Sequence, residues 1–392
     1  MFQAERCTLN SILKLVAALQ DQGSFWRNIL KLRMHCTDLW FGHTTRTLTK
    51  QRNGMKRLEA LDAARFLAFC GMVLVNFRIA AQVAPGNDWA SILIDALEGR
   101  AAALFVILAG IGIGLSSISA SILLRRAAFL FVLGLINMTV FDADILHFYA
   151  MYFVVGAAFL AAPTGGLWLG SVSVMALAVL AVMIFNYDLG WDWDTLTYTD
   201  LWTLPGFLRN LFFNGWHPVL PWAAFLLIGM AIGRSELHTI CIRHRLIMWG
   251  FGAAVFAHFP QMLVTDPDLA AYLGTASIPP GPFYIIAGTG SACVVIGLLL
   301  KLWPKIEKLR IGPALTAPGR HSLTLYMAHI LIGMGILEEA GLLNGSLNAP
   351  QIVGCAFAFC AASSGFAILW SRKFKSGPLE ALMRLTTQTR RA

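Results

Sequence analysis

Charge is what this sequence has least of. Acidic and basic side chains make up 13% of its 392 residues and hydrophobic ones 57%, about half the charge of an average soluble domain. An ordinary water-soluble globule is thereby excluded. The seven cysteines, Cys7, Cys36, Cys70, Cys241, Cys293, Cys355 and Cys360, include no Cys-x-x-Cys pair. Most fall inside apolar runs, as small buried hydrophobes do, so neither a metal site nor a disulfide framework is expected. There is no Gly-x-Ser-x-Gly elbow, no His-Glu-x-x-His and no Rossmann fingerprint, which removes the usual signatures of serine hydrolases, zinc proteases and dinucleotide enzymes. The net charge of +9 does not imply nucleic acid. Residues 1–57 hold ten Lys/Arg and three Asp/Glu, and residues 371–392 hold six and one. The charge is therefore terminal, as in cytoplasmic tails, and forms no continuous face to track phosphates.

What is present is a series of apolar runs near 20 residues, the signature of an all-α polytopic membrane protein in a lipid bilayer. Ten spans are expected: about 55–78, 100–118, 127–140, 145–162, 167–185, 218–233, 246–264, 283–300, 321–337 and 352–370. Basic clusters at the N-terminus, 125–126, 234–245, 301–320 and the C-terminus alternate with acidic ones at 88–98, 142–144, 188–200, 266–268 and 338–339. The positive-inside rule then places both termini in the cytoplasm. In the long loop 186–217, Trp191, Trp193, Trp202 and Trp216 suit a headgroup boundary. Residues 1–54 lack any uninterrupted apolar run or signal-peptide core. They read as a basic extension upstream of a start at Met55, or through SILKLVAALQ as a segment lying on the membrane surface. Residues 55–392 form the membrane domain.

Polar residues inside such spans are functional hypotheses by default. In the first span Asp62 and Arg65 share a helix face, and Asn76 and Arg78 restore polarity about 20 Å further along, at ~1.5 Å per residue. An intrahelical salt bridge with snorkelling ends is the plainer reading. Asp144 and His147, three residues apart, set a carboxylate where it orients an imidazole, and Arg100 stands at the same expected depth. Headgroup hydrogen bonding explains those three as well. His329 falls near the midplane, about 13 Å beyond Arg320, with Tyr326 one turn away. It lines a cavity or is a neutral ring held by a neighbouring helix. His258 has no polar residue near it in AVFAHFPQ. His217 and Trp222 flank Pro218 and Pro221, as an aromatic lid or an interfacial anchor. The glycines at 110, 112, 114, 229 and 233 indicate close helix packing.

Six stretches carry a family resemblance: RLEALDAAR at 57–65, GRAAALFVILAGIGIGL at 99–115, DILHFYAMYF at 144–153, HPVLPWAAFLLIGMAIGR at 217–234, GRHSLTLYMAHILI at 319–332 and SGPLEALMR at 376–384. Together they resemble the YeiB-like bacterial membrane proteins, related to the heparan-alpha-glucosaminide acetyltransferase catalytic region. The resemblance covers about 55–385. It implies a multi-pass acyltransferase of the bacterial inner membrane, moving an acyl group, acetyl from acetyl-CoA, to a small-molecule or glycan acceptor, with no permanently bound cofactor. One departure stands out. The lysosomal members carry a histidine between their first two helices, and residues 66–98 here contain none.

Acyl transfer needs a base, an oxyanion donor and cations for the CoA phosphates. The candidates are His147, Asp144 and His329 for catalysis, Asp62, Arg65 and Arg320 for the CoA headgroup, and Asn76, Arg100, Trp222 and Tyr326 for substrate. Charged mouths and a midplane histidine serve a proton-coupled small-molecule or lipid transporter as well, although no inverted repeat supports it. A scaffold whose polar groups only fix helix packing is the third reading.

Overall fold

The computed structural model describes residues 58–388, and the extension expected over 1–54 lies outside them. The helices are α1 (Glu59–Ala80), α2 (Trp89–Leu97), α3 (Arg100–Leu115), α4 (Ala120–Met138), α5 (Leu146–Ala158), α6 (Thr164–Ile184), α7 (Leu204–Arg209), α8 (Val219–Gly233), α9 (Ile240–Phe256), α10 (Pro267–Tyr272), α11 (Pro282–Lys308), α12 (Gly312–Arg320), α13 (Ser322–Ala328), α14 (Gly335–Glu339), α15 (Ala349–Ser371) and α16 (Pro378–Thr387). Two-residue strands, β1 (Trp191–Asp192) and β2 (Thr197–Tyr198), pair antiparallel.

Among the described residues each expected span contains helix, and the chain is an all-α, multi-pass membrane protein. By length and composition six helices can cross a bilayer, or seven if the pair Leu204–Asn214 and Val219–Gly233, bent by 46°, counts as one. The other expected spans are shorter. α3 has 16 residues and α5 has 13, about 24 and 20 Å against a hydrocarbon core of roughly 30 Å. The expected ninth span is broken: α12 ends at Arg320, His321 leaves the helical region at φ −112°, and α13 gives way to a π-turn over His329–Met334 before α14.

The core forms where small residues let backbones meet. From Pro221 to Gly233 every residue of α8 is buried, because α3, α5, α6 and α11 all pack against it. A Cβ on Gly110 would stand 2.2 Å from the Leu226 carbonyl oxygen, one on Gly114 2.5 Å from that of Met230, and one on Gly229 2.3 Å from that of Ile107. α3 and α8 thus cross in direct backbone contact, the geometry that small-xxx-small spacing permits. Gly112 differs, for it faces the Arg65 guanidinium. α1 and α12 approach as closely, since a Cβ on Gly319 would overlap the Asp62 carbonyl oxygen at 1.8 Å.

Two expectations change. Ser119 caps α4, accepting from Ile122 N at 3.4 Å, so the helix begins before Arg125 and Arg126 and carries both inside it. The loop 186–217 is folded: Trp191 Nε1 donates to the Asn214 carbonyl at 2.6 Å, Arg209 holds both carboxylate oxygens of Asp200 at 2.7 Å, and Trp191 packs on Trp193 and Trp216. Hydrogen bonding of its own backbone draws Trp191 into a small cluster, while Trp202 stays exposed.

Candidate functional site

Asp144 ends the short turn from α4 to α5 and is fully buried. Gly134 makes this possible, because a side chain there would strike the His147 backbone nitrogen at 2.4 Å. Asp144 Oδ2 accepts from the first two amides of α5, Leu146 N at 2.8 Å and His147 N at 3.4 Å. Oδ1 accepts from Asn137 Nδ2 at 2.7 Å and from the Tyr326 hydroxyl at 3.1 Å. The same hydroxyl accepts from Ile145 N at 3.2 Å. A buried carboxylate surrounded by neutral donors is thus saturated without a counter-cation.

His147 Nδ1 lies 3.3 Å from Asp144 Oδ2. Facing an acceptor-only carboxylate, Nδ1 carries the proton and Nε2 presents its lone pair. That Nε2 is buried with no hydrogen-bond partner, and the ring lies against Phe148 at 3.9 Å between centroids. His329 differs at both nitrogens. Its Nδ1 donates to the Tyr326 carbonyl, and its Nε2 lies 3.0 Å from Asn76 Nδ2, whose N–H it accepts in that tautomer. It opens the π-turn, a distortion often found at functional sites.

Asn76, His329, Tyr326, Asp144 and His147 therefore form one polar thread joining α1, the broken ninth segment and α5. Asn137 of α4 belongs to it too, and the sequence reading passed it over. Its signal was a lone amide in the apolar stretch GLINM, costly in a span unless paired.

Asp62, Arg65 and Arg320 gather elsewhere. Arg65 Nη1 lies 2.7 Å from Asp62 Oδ1, Arg320 Nε 3.6 Å from Asp62 Oδ2, and Arg320 Nη2 3.4 Å from Glu59 Oε1. Arg320 and Glu59 line an open cavity of ≈ 460 Å³ with Glu307, Arg310, Thr316 and Ser371. Arg100 stands apart from the thread, its Nη2 bonded to Thr275 Oγ1 at 3.1 Å. His258 does have a polar partner, the same Thr275 hydroxyl at 3.4 Å, and lies exposed beyond the end of α9. Trp222 is fully buried against His217, Phe225 and Tyr284 and so is no interfacial anchor. Arg78 pairs with Asp95.

Residues 57–274 match the family model heparan-alpha-glucosaminide N-acetyltransferase, catalytic, over more than half of the chain. The chain belongs to that family. Residues 233–390 match a second model, protein of unknown function (DUF418). The acetyltransferase match holds Asn76, Asn137, Asp144 and His147, and the second holds Tyr326 and His329, so the thread crosses from one to the other. Comparison with curated proteins gives no match.

Proposed function

We propose that this chain is a membrane-bound acyltransferase that moves an acyl group, acetyl from acetyl-CoA, to an amine or hydroxyl of a small-molecule or glycan acceptor. The observation that carries the reading is His147: an imidazole oriented through Nδ1 by a buried carboxylate, with Nε2 uncommitted. Membership of an acetyltransferase family supports it.

His147 Nε2 takes the proton of the acceptor as its nitrogen or oxygen attacks the thioester carbonyl. The C–S bond then breaks, and the CoA thiolate leaves and takes that proton back from His147 to become the thiol. General-base help of this kind contributes about 10²–10⁴ in rate. Asp144 keeps the tautomer and stabilises the imidazolium. Asn137 and Tyr326 hold Asp144, and Asn76 and His329 brace the segment that carries Tyr326. His147 is 1% exposed, so bulk water, the competing nucleophile, is kept from the reacting centre. Arg65 and Arg320 meet the CoA phosphates at the other cluster. Arg100 and Trp222 lie off the thread and take no part in the step. In this reading the shorter segments complete ten crossings, with both termini on the cytoplasmic side of a bacterial inner membrane.

Proteoliposomes of the purified chain, supplied with labelled acetyl-CoA and a panel of amino sugars and small amines, test this. Label is expected on an acceptor. Absence of both acetyl-CoA binding and transfer, together with proton-driven solute uptake, would replace the transferase by a transporter.

A further inference from the structure

The stretch SGPLEALMR at 376–384 opens α16, and the acyl-transfer step uses none of its side chains. α16 packs on α4 and α13. Its Glu380 reaches across to α13, where Oε1 accepts from Leu323 N at 2.7 Å and Thr324 N at 3.1 Å, and Oε2 accepts from Thr324 Oγ1 at 2.5 Å. Leu379 N donates back to that hydroxyl at 3.1 Å. Gly377 leaves the room for this, because a Cβ there would stand 2.2 Å from Glu380 Oε2 and 2.6 Å from Thr324 Oγ1.

The first amides of a helix have no partner within it, and the side chain just before the helix commonly supplies one. His321, the residue before α13, makes no such bond. Leu323 and Thr324 are capped instead by a carboxylate on another helix. A helix of seven residues has little stability of its own, so its placement depends on what holds its ends. What α13 delivers is Tyr326, two residues beyond Thr324. The Tyr326 hydroxyl donates to Asp144 Oδ1 at 3.1 Å and accepts from Ile145 N at 3.2 Å. Hydrogen bonds therefore lead from Glu380 to the first turn of α13, and from Tyr326 in that turn to the carboxylate that orients His147.

We propose that Glu380 is a positioning residue for acyl transfer. By holding the first turn of α13 it keeps Tyr326 on Asp144, and α16 becomes a latch on the Asp144–His147 pair. The kinetic consequence rests on the acyl-transfer reading; the coupling itself rests on the hydrogen bonds.

The full chain in proteoliposomes is to be assayed for acetyl transfer and, in parallel, for amide hydrogen exchange read by mass spectrometry. Glu380→Ala should lower kcat by about fivefold, less than the roughly tenfold set by losing Tyr326 itself, with KM for acetyl-CoA unchanged. It should also speed exchange in the peptide holding Ile145 and leave that of α8 unchanged. Glu380→Gln still offers an oxygen to the two amides and should restore kcat to within about twofold of wild type. In a Tyr326→Phe background Glu380→Ala should cost nothing further, because the group it acts through is gone. Thr324→Ala, which removes one of the three bonds, should lower kcat by about twofold and decides the matter if Glu380→Ala does not fold. Wild-type kcat and exchange in Glu380→Ala, or its full additional loss in the Tyr326→Phe background, overturns the proposal. If the wild-type chain transfers no acetyl group, the acyltransferase reading fails, and the exchange at Ile145 decides the latch: faster in Glu380→Ala supports it, unchanged overturns it.

Discussion

Asp62 and Asp144 are equally buried, at 1% and 0% exposure, yet their oxygens are met by opposite kinds of partner. Asp62 faces two arginines, one of which, Arg320, lines an open cavity. Asp144 faces an amide, a phenol, two backbone N–H groups and one histidine. A carboxylate between cations is half of a structural charge lattice, and its arginines reach toward solvent, where phosphate groups can meet them. A carboxylate held by neutral donors meets no counter-cation and orients the imidazole beside it. In the proposed reading, partner chemistry rather than depth separates the anchoring acid from the catalytic one.

That contrast can be broken from either side. The largest effect is expected from Asp144→Asn, which keeps the shape of the turn but offers His147 Nδ1 an amide that can stabilise no imidazolium. Acyl transfer should fall by about 10³, some 4 kcal/mol of transition-state stabilisation, and acetyl-CoA binding should persist. Asp62→Asn should do the reverse. It removes the carboxylate that Arg65 and Arg320 share, leaving Glu59 to Arg320, and lowers stability by about 3 kcal/mol, the low end for a broken buried pair because both arginines are partly exposed, read as an earlier thermal unfolding midpoint in detergent. Equal loss of transfer in the two variants would erase the distinction. A smaller effect is expected from Tyr326→Phe, which removes one donor to Asp144 and the acceptor for Ile145 N. A cost of about 1–2 kcal/mol should appear as a roughly tenfold drop in kcat with KM unchanged. Asn76→Ala should matter least. It unpairs His329 Nε2 three links from His147, costing about 1 kcal/mol of stability and little activity.

Much of this was legible in the sequence because bilayers impose strict rules. Apolar run length located the six helices long enough to cross a bilayer, the glycines at 110, 114, 229 and 233 indicated close packing without naming the partner helix, and the i, i+3 placement of Asp144 and His147 gave the pair. What could not be read depended on the third dimension. Arg100 and His147 stand at similar expected depths, but which helices adjoin is a packing outcome, and Arg100 goes to Thr275. The ninth segment reads as one apolar run, and nothing in SLTLYMAHILI reveals a π-turn that rotates His329 toward Asn76. The hydrogen-bond state of the two histidines was equally hidden: both looked like bases, and only one has a nitrogen to give.

The most direct measurement compares those histidines as Gln variants in the same proteoliposome assay, with acetyl-CoA binding measured alongside. His147→Gln should bind acetyl-CoA as the wild type does and transfer acetyl at least about 10² more slowly, while His329→Gln should stay within about tenfold of wild type. Transfer at the wild-type rate by His147→Gln would contradict the account.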